Sequence, residues 1–238
     1  MANILLTRSA IENELTAKKL FSLGFNSISL PIISYQNLHP TITDQSTHII
    51  VTSKHAAGLL AKAIKHQVEC WVVGKESAAI LSENPNIEVT GIAKNLQSLL
   101  EIISLVPEDE APAFFNKTIY YSGNIITRDL PSFIPRQIIY HISYLSDIEP
   151  ELIEKIHTSA IKYIFVYSKN CGTTLINLIH KHNLLPYLQD SALIAISPEV
   201  SNLFEGITIK RSHGAEPTFE HMIKILIAIH KVNMEWLA

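Results

Sequence analysis

Short apolar runs that end in small polar turns recur along the chain, and helical periodicity follows each of them. The first run is Ile4 to Leu6, which leads into a helix-forming stretch from Ala10 to Leu23 that stops at Gly24. A continuous apolar run predicts a buried strand, and a glycine after a periodic stretch predicts the end of a helix. The repeated unit is therefore a strand, a polar turn and a helix.

The same order of elements returns further along the chain. Further strands are predicted at His48 to Val51, in "CWVV" before Gly74, at Ile87 to Val89 and at Thr118 to Tyr121. Helical stripes with i, i+3, i+4 and i+7 spacing are formed by Ala56, Leu59, Leu60 and Ala63, and by Leu96, Leu99, Leu100 and Ile103. Strands that alternate with helices predict the α/β class, with doubly wound parallel sheets covered on both faces.

Three segments of the first half have counterparts in the second half, at nearly constant separation. They are "HIIVTSKHAAGLL" and "YIFVYSKNCGTTL", "WVVGKESAAIL" and "IAISPEVSNLF", and "IEVTGIAKNLQSLL" and "ITIKRSHGAEPTFEHM". One pattern repeated in the same order predicts two similar domains.

Composition narrows the class of protein. Of 238 residues, 47% are hydrophobic and 17% charged, which is typical of a globular protein. The apolar runs are much shorter than the roughly 20 residues that span a bilayer, and the start of the chain does not resemble a secretory signal. A net charge of −3 without a basic block argues against a nucleic-acid partner. We therefore expect a cytoplasmic protein.

Cysteine and histidine spacing indicates neither a metal site nor a disulfide. Cys70 and Cys171 have no Cys-x-x-Cys partner and are interpreted as reduced core thiols. His180 and His182 lie two positions apart on a predicted helix, so they point in different directions. We expect no metal.

The polar turns follow the carboxyl ends of their strands, where open α/β sheets bind ligands. The same Thr, Ser and Gly residues also cap helices whatever the function. For any single turn, both interpretations remain open.

Together, the segments resemble the uroporphyrinogen-III synthase family over essentially the whole chain. They are "ILLTRS", "GFNSISLPII", "IIVTSKHA", "VVGKESAAIL", "YSGNIITRDL", "ISYLSD", "FVYSKN" and "GAEPTFEHMIKIL". The resemblance implies two similar domains, one formed by residues 1–34 and 146–238 and the other by 37–143. Two linker strands near 34–36 and 143–146 would join them, with a cleft between the domains.

The resemblance also implies a reaction in heme biosynthesis. The family closes hydroxymethylbilane, a linear tetrapyrrole with eight carboxylates, into uroporphyrinogen III and water, and inverts the last pyrrole ring. The substrate alone closes without inversion, so the enzyme must hold the chain in one orientation. A monomer that needs no cofactor is expected.

Matching this sequence to the family implies contacts to substrate carboxylates at five turns. They involve Thr7 and Arg8; Thr52, Ser53 and Lys54; Gly74 and Lys75; Gly123 and Arg128; and Ser168 and Asn170. Main-chain N–H groups at helix starts suit carboxylates, which explains how an acidic protein could bind an octa-acid. The alternative for Arg8, Lys54 and Arg128 is an exposed surface cation.

Tyr144 occupies the position of a family tyrosine near the domain junction. A phenol with an ordinary pKa near 10 is protonated at neutral pH, so Tyr144 can donate a proton to the leaving hydroxyl. A tyrosine beside a linker can also be a packing residue, and this alternative remains open.

One turn departs from the family pattern. Where the family has Gly-Pro-Thr-Thr or a close variant, this chain has Ser197-Pro198-Glu199-Val200, and Glu199 would repel a carboxylate.

Two alternative functions remain open. A two-lobed protein that binds an anion without chemistry shares the predicted architecture. A nucleotide-dependent transferase is a third alternative, but the chain has no Gly-x-Gly-x-x-Gly run.

Overall fold

The computed structural model describes residues 3–38, 42, 46–107, 109, 111–207 and 210–235. The strands are β1 (Asn3–Leu6), β2 (Asn26–Ser29), β3 (Ile33–Asn37), β4 (His48–Val51), β5 (Val68–Val73), β6 (Ile87–Ala93), β7 (Thr118–Gly123), β8 (Arg136–Tyr144), β9 (Ile161–Val166), β10 (Ala192–Ala195) and β11 (Lys210–His213). The helices are α1 (Ala10–Ser22), α2 (Lys54–Ala63), α3 (Lys75–Leu81), α4 (Leu96–Ile103), α5 (Ala111–Asn116), α6 (Pro150–Thr158), α7 (Lys169–Lys181), α8 (Leu185–Leu188), α9 (Pro198–Asn202) and α10 (Phe219–Glu235).

The chain divides into two compact units. The first comprises Met1–Ser34 and Ser143–Ala238, and the second comprises Tyr35–Ile142.

The first unit contains a five-stranded sheet in the order β11-β10-β9-β1-β2, with every pair parallel. Successive side chains of a strand point to opposite faces. Leu5 and Ile164 accordingly pack into one core, while Ile4 and Phe165 pack into another. Both faces are covered, as the continuous apolar runs predicted.

Helix α1 shows how the sequence sets the ends of an element. Ser9 caps its start, and Ser9 and Glu12 form a reciprocal capping box. After its end, Gly24 adopts a φ of 86°, a conformation that favours glycine. The helix and its glycine stop are therefore as predicted.

The second unit contains a six-stranded sheet in the order β3-β8-β7-β4-β5-β6. The pairs from β8 to β6 are parallel, which confirms the predicted arrangement. The sequence did not predict that β3 pairs antiparallel with β8. Leu38 N–H donates to the Ile139 carbonyl, and Leu145 N–H donates to the Ile32 carbonyl, so the two strands run in opposite directions.

The three repeated segments occupy equivalent places in the two sheets. β4, β5 and β6 are consecutive parallel neighbours in one sheet, and β9, β10 and β11 are consecutive in the other. The counterpart predicted from Ile207 contains β11, whose last residue, His213, matches Ala93 at the end of β6 in the predicted alignment. Residues 208 and 209 lie outside the described residues.

In α2 the buried stripe differs from the predicted one. Ala56, Ala57 and Leu60 are buried, whereas Leu59 and Ala63 are only half-buried.

Within the part of the chain that the structure describes, no helix is long and apolar enough to cross a bilayer.

Both cysteines are buried and free, as predicted for core thiols. Burial raises the pKa of the Cys70 thiol to about 12. Among the described residues, no three His, Cys, Asp or Glu side chains gather as metal ligands.

Candidate functional site

A cleft of about 380 Å³ lies in the second unit, at the carboxyl ends of β4 and β7. Its lining comprises Thr52, Ser53, Val73, Lys94, Asn95, Leu96, Tyr120, Ser122, Gly123, Ile125, Ile126, Thr127, Arg128 and Tyr140. Four of the predicted site residues are among them, namely Thr52, Ser53, Gly123 and Arg128.

The lining has the charge of an anion site. Lys94 and Arg128 are cationic, and no acidic residue is among the described residues of the lining. Two helices also begin at the cleft, because Ser53 caps α2 and Asn95 caps α4. Helix N-termini carry partial positive charge and unpaired N–H groups, so the cleft favours carboxylates or other anions.

Hydroxyl groups at the end of β4 are held by two buried tyrosines. The Thr52 hydroxyl lies 2.8 Å from the Tyr120 hydroxyl, and the Tyr140 hydroxyl donates to Ser53 Oγ at 2.9 Å. The two rings are only 2% and 4% exposed, so packing fixes them. Burial raises the pKa of Tyr140, which keeps its phenol protonated at neutral pH.

Arg136 holds the turn that follows β7. Its guanidinium donates to Ser122 Oγ at 2.7 Å, to the Gly123 carbonyl at 2.5 Å and to the Asn124 carbonyl at 3.1 Å. These bonds fix the main chain at Gly123, which lines the cleft.

Three predicted contacts of the second unit do not line this cleft. Lys54 pairs with Glu76 at 2.7 Å on the surface. Gly74, with a φ of 89°, precedes α3, and its N–H donates to the Ala93 carbonyl. Lys75 is exposed in the first turn of that helix.

In the first unit, the turn after β1 is occupied by internal contacts. The Thr7 side chain is fully buried, and its hydroxyl donates to the Phe165 carbonyl at 2.5 Å. Because the whole residue is 0% exposed, Thr7 itself presents no group to a ligand. The Arg8 guanidinium pairs with Glu12 and lies 4.9 Å from the centre of the Tyr167 ring.

The turn after β9 brings three predicted residues into one neighbourhood. Ser168 caps α7 by accepting from Cys171 N–H at 3.2 Å. Asn170, in the first turn of that helix, donates from Nδ2 to the Tyr144 hydroxyl at 3.1 Å. The Tyr144 ring packs against the core of the unit. Because the hydroxyl oxygen accepts, its own proton remains available for donation.

The departure from the family pattern lies at the start of α9. Glu199 is exposed there, and a hydrogen bond from Ser197 lowers its pKa, so the carboxylate stays charged. The Glu199 carboxylate therefore disfavours the binding of a ligand carboxylate at this turn.

Sequence reasoning missed several residues of the cleft. Tyr120, Ser122, Tyr140, Lys94 and Asn95 line it, yet none was predicted as a site residue. The segment "YSGNIITRDL" contained one signal, because Ser122 directly precedes Gly123. Tyr140 gave none, since it lies within a strand.

Comparisons with known proteins agree with this architecture. Residues 14–224 match the family described as Uroporphyrinogen-III synthase HemD. A protein of Rickettsia prowazekii (strain Madrid E), described as Uncharacterized protein RP474, is 31% identical over 252 residues, covering 85% of this chain and 89% of that protein.

Solved structures show the same fold. Uroporphyrinogen-III synthetase from Helicobacter pylori 26695 superposes with a TM-score of 0.60 at 11% identity, covering 96% of this chain and 100% of that one. A mutant uroporphyrinogen III synthase from the extremely thermophilic bacterium Thermus thermophilus gives a TM-score of 0.54 at 13% identity, with coverage of 98% and 100%. The match over residues 14–224 places the chain in the uroporphyrinogen-III synthase family.

Proposed function

We infer that this protein is a uroporphyrinogen-III synthase, a lyase that converts hydroxymethylbilane to uroporphyrinogen III and water. The observation that carries this inference is the family match over residues 14–224. The cationic cleft supports it, because hydroxymethylbilane is a polycarboxylate and the lining offers two cations and two helix N-termini.

In the proposed reaction, the protein supplies orientation and one proton. The terminal hydroxyl leaves as water after it receives a proton, and a cationic azafulvene remains. The substituted carbon of the last ring attacks this cation, and the spiro intermediate then breaks and recloses with that ring inverted. Ring closure releases one proton, so the reaction consumes no net acid. Orientation decides the isomer, because the free carbon of the same ring also reacts.

We assign the proton donor to Tyr144. Its hydroxyl accepts from Asn170, which leaves its O–H free to donate and restricts where the phenol points. After the proton leaves, the Asn170 amide still donates to the phenolate and stabilises it.

We assign carboxylate binding in the second unit to the cleft around Ser53, Gly123 and Arg128. In the first unit, main-chain groups near Thr7, Ser168 and Asn170 are the candidates. We further propose that residues 1–34 with 146–238, and 37–143, act as two domains joined by linkers near 34–36 and 143–146. We also still predict that the protein is a cytoplasmic monomer, that it needs no cofactor and that it binds no nucleic acid.

The product isomer tests this function. Protein added to hydroxymethylbilane should yield the type III macrocycle, whereas a protein that only binds the substrate would leave the type I product of spontaneous closure.

A further inference from the structure

We propose that Tyr140 is a positioning residue that turns the Ser53 hydroxyl into an obligatory hydrogen-bond donor for one substrate carboxylate. The proposal rests on the proposed function. It adds a residue that the sequence did not indicate.

The hydrogen bonds of Ser53 define the direction of its proton. A serine hydroxyl has two acceptor positions and one donor. Ser53 Oγ accepts from Ala56 N–H at 3.1 Å and from the Tyr140 hydroxyl at 2.9 Å. Both acceptor positions are therefore filled, and the Ser53 proton must point to a third partner. Since Ser53 lines the cleft, a ligand there can be that partner.

Tyr140 reaches Ser53 across an intervening strand. β8 carries Tyr140, β4 ends next to Ser53, and β7 lies between these strands. The ring crosses β7 at Gly123, where an added Cβ would lie 2.5 and 2.6 Å from two ring carbons. Only glycine leaves room for the ring at this place.

His55 fixes the ring from another side. Its imidazole packs edge-on against Tyr140, with 4.5 Å between ring centres, and His55 Nε2 lies 2.7 Å from Asn37 Oδ1. Tyr140 is thus held between Gly123 and His55, so its hydroxyl has little freedom to leave Ser53.

A carboxylate is the ligand that this arrangement suits. An ionised carboxylate only accepts hydrogen bonds, and Ser53 can only donate. Lys94 and Arg128 supply positive charge in the same cleft. Hydrogen bonds to charged groups are stronger than neutral ones, so a pre-directed hydroxyl should contribute measurably to affinity.

A double-mutant cycle tests the proposal. Steady-state formation of the type III product is measured for wild type, Ser53→Ala, Tyr140→Phe and the double variant. We expect Ser53→Ala to raise KM for hydroxymethylbilane about ten-fold, and Tyr140→Phe roughly three- to ten-fold, with kcat changed less than about two-fold. The double variant should be no worse than Ser53→Ala, because Tyr140 acts through Ser53.

Two controls separate positioning from folding. Tyr163→Phe removes a buried tyrosine hydroxyl that lies 3.0 Å from His230 Nδ1 in the other unit, and should leave KM unchanged. Ser53→Thr keeps both the hydroxyl and the helix cap, so it should restore most of the affinity lost in Ser53→Ala. Ser53→Ala and Ser53→Thr together test the Ser53 contact even if Tyr140→Phe does not fold.

The outcomes are distinct. If the wild-type protein forms type III, but Ser53→Ala or Tyr140→Phe has the wild-type KM, the proposal for Tyr140 is overturned and the proposed function stands. Additive losses in the double variant would also overturn it. Wild-type protein that forms only type I would overturn both.

Discussion

The Asn170 amide donates a hydrogen bond to the Tyr144 hydroxyl, with 3.1 Å between Nδ2 and the phenol oxygen. This contact joins the first turn of α7 to the end of β8 within one unit. The Tyr144 ring packs against the core of this unit, and the hydrogen bond fixes the direction of its hydroxyl. The hydroxyl proton stays free for donation.

Tyr144→Phe should slow formation of the type III product by roughly 10²-fold or more, the usual contribution of a general acid. The ring keeps its packing, so the thermal midpoint should change little. Tyr187→Phe is the matched control, because it removes a hydroxyl from an exposed ring that stacks on His157. A loss of only a few-fold for Tyr144→Phe would mean that Tyr144 is a packing residue.

Asn170 variants test the direction of this hydrogen bond. Asn170→Ala removes the donor and should lower kcat several-fold. Asn170→Asp replaces the donor with an acceptor that competes for the Tyr144 proton, so kcat should fall further than in the alanine variant. Equal kcat values for the two variants would contradict the assigned direction.

Glycine substitutions test the crossing of Tyr140 over β7. Gly123→Ala should destabilise the fold by about 1–3 kcal/mol, because the new Cβ overlaps the ring. Gly58→Ala, within α2, meets nothing within 4 Å and should stabilise by about 0.5–1 kcal/mol through helix propensity. Urea unfolding measures both, and a Gly123→Ala protein as stable as wild type would show that the ring is not held there.

The cap of α1 should have a measurable effect on stability. Ser9→Ala removes the capping box with Glu12 and should cost about 1 kcal/mol. Ser22→Ala, on the last turn of the same helix, removes only an exposed bond to the Lys19 carbonyl and should be nearly neutral. Similar losses of unfolding free energy in the two variants would argue against the capping role.

Alkaline pH should destabilise the fold through Cys70. Burial raises the pKa of this thiol from 9.0 to about 12. Below pH 9 the thiol is neutral in both the folded and the unfolded state. Between about 9 and 12 only the unfolded state loses the proton, so the unfolding free energy should fall by at most about 1.4 kcal/mol per pH unit.

Cys70→Ala should weaken this dependence. The buried phenols of Tyr140 and Tyr167, whose pKa values burial also raises, will retain part of it. An unchanged slope of unfolding free energy against pH in Cys70→Ala would show that the thiol does not titrate in this way.

Local patterns predicted the elements of the fold well. The apolar run at His48 to Val51 became β4 with the same bounds, and Ser53 after it begins a helix. Such features depend on neighbours in sequence, through burial and capping, which a single chain displays directly.

Strand order was not predictable in the same way. Tyr140 meets Ser53 only because β8, β7 and β4 are neighbours and because Gly123 leaves space between them. The burial of Thr7 under the Phe165 carbonyl likewise requires β1 beside β9. These contacts join residues far apart in sequence, which is why Tyr120 and Ser122 on β7 and Tyr140 on β8 were missed. Lys94 and Asn95, which follow β6, were missed as well.

The product isomer as a function of protein concentration tests the proposed function most directly. Hydroxymethylbilane is incubated with increasing wild-type protein, and the types I and III macrocycles are separated and quantified. We expect the type III fraction to rise from near zero towards completion as enzymatic closure outpaces spontaneous closure. A product that remains type I at every protein concentration would contradict the assignment as a synthase.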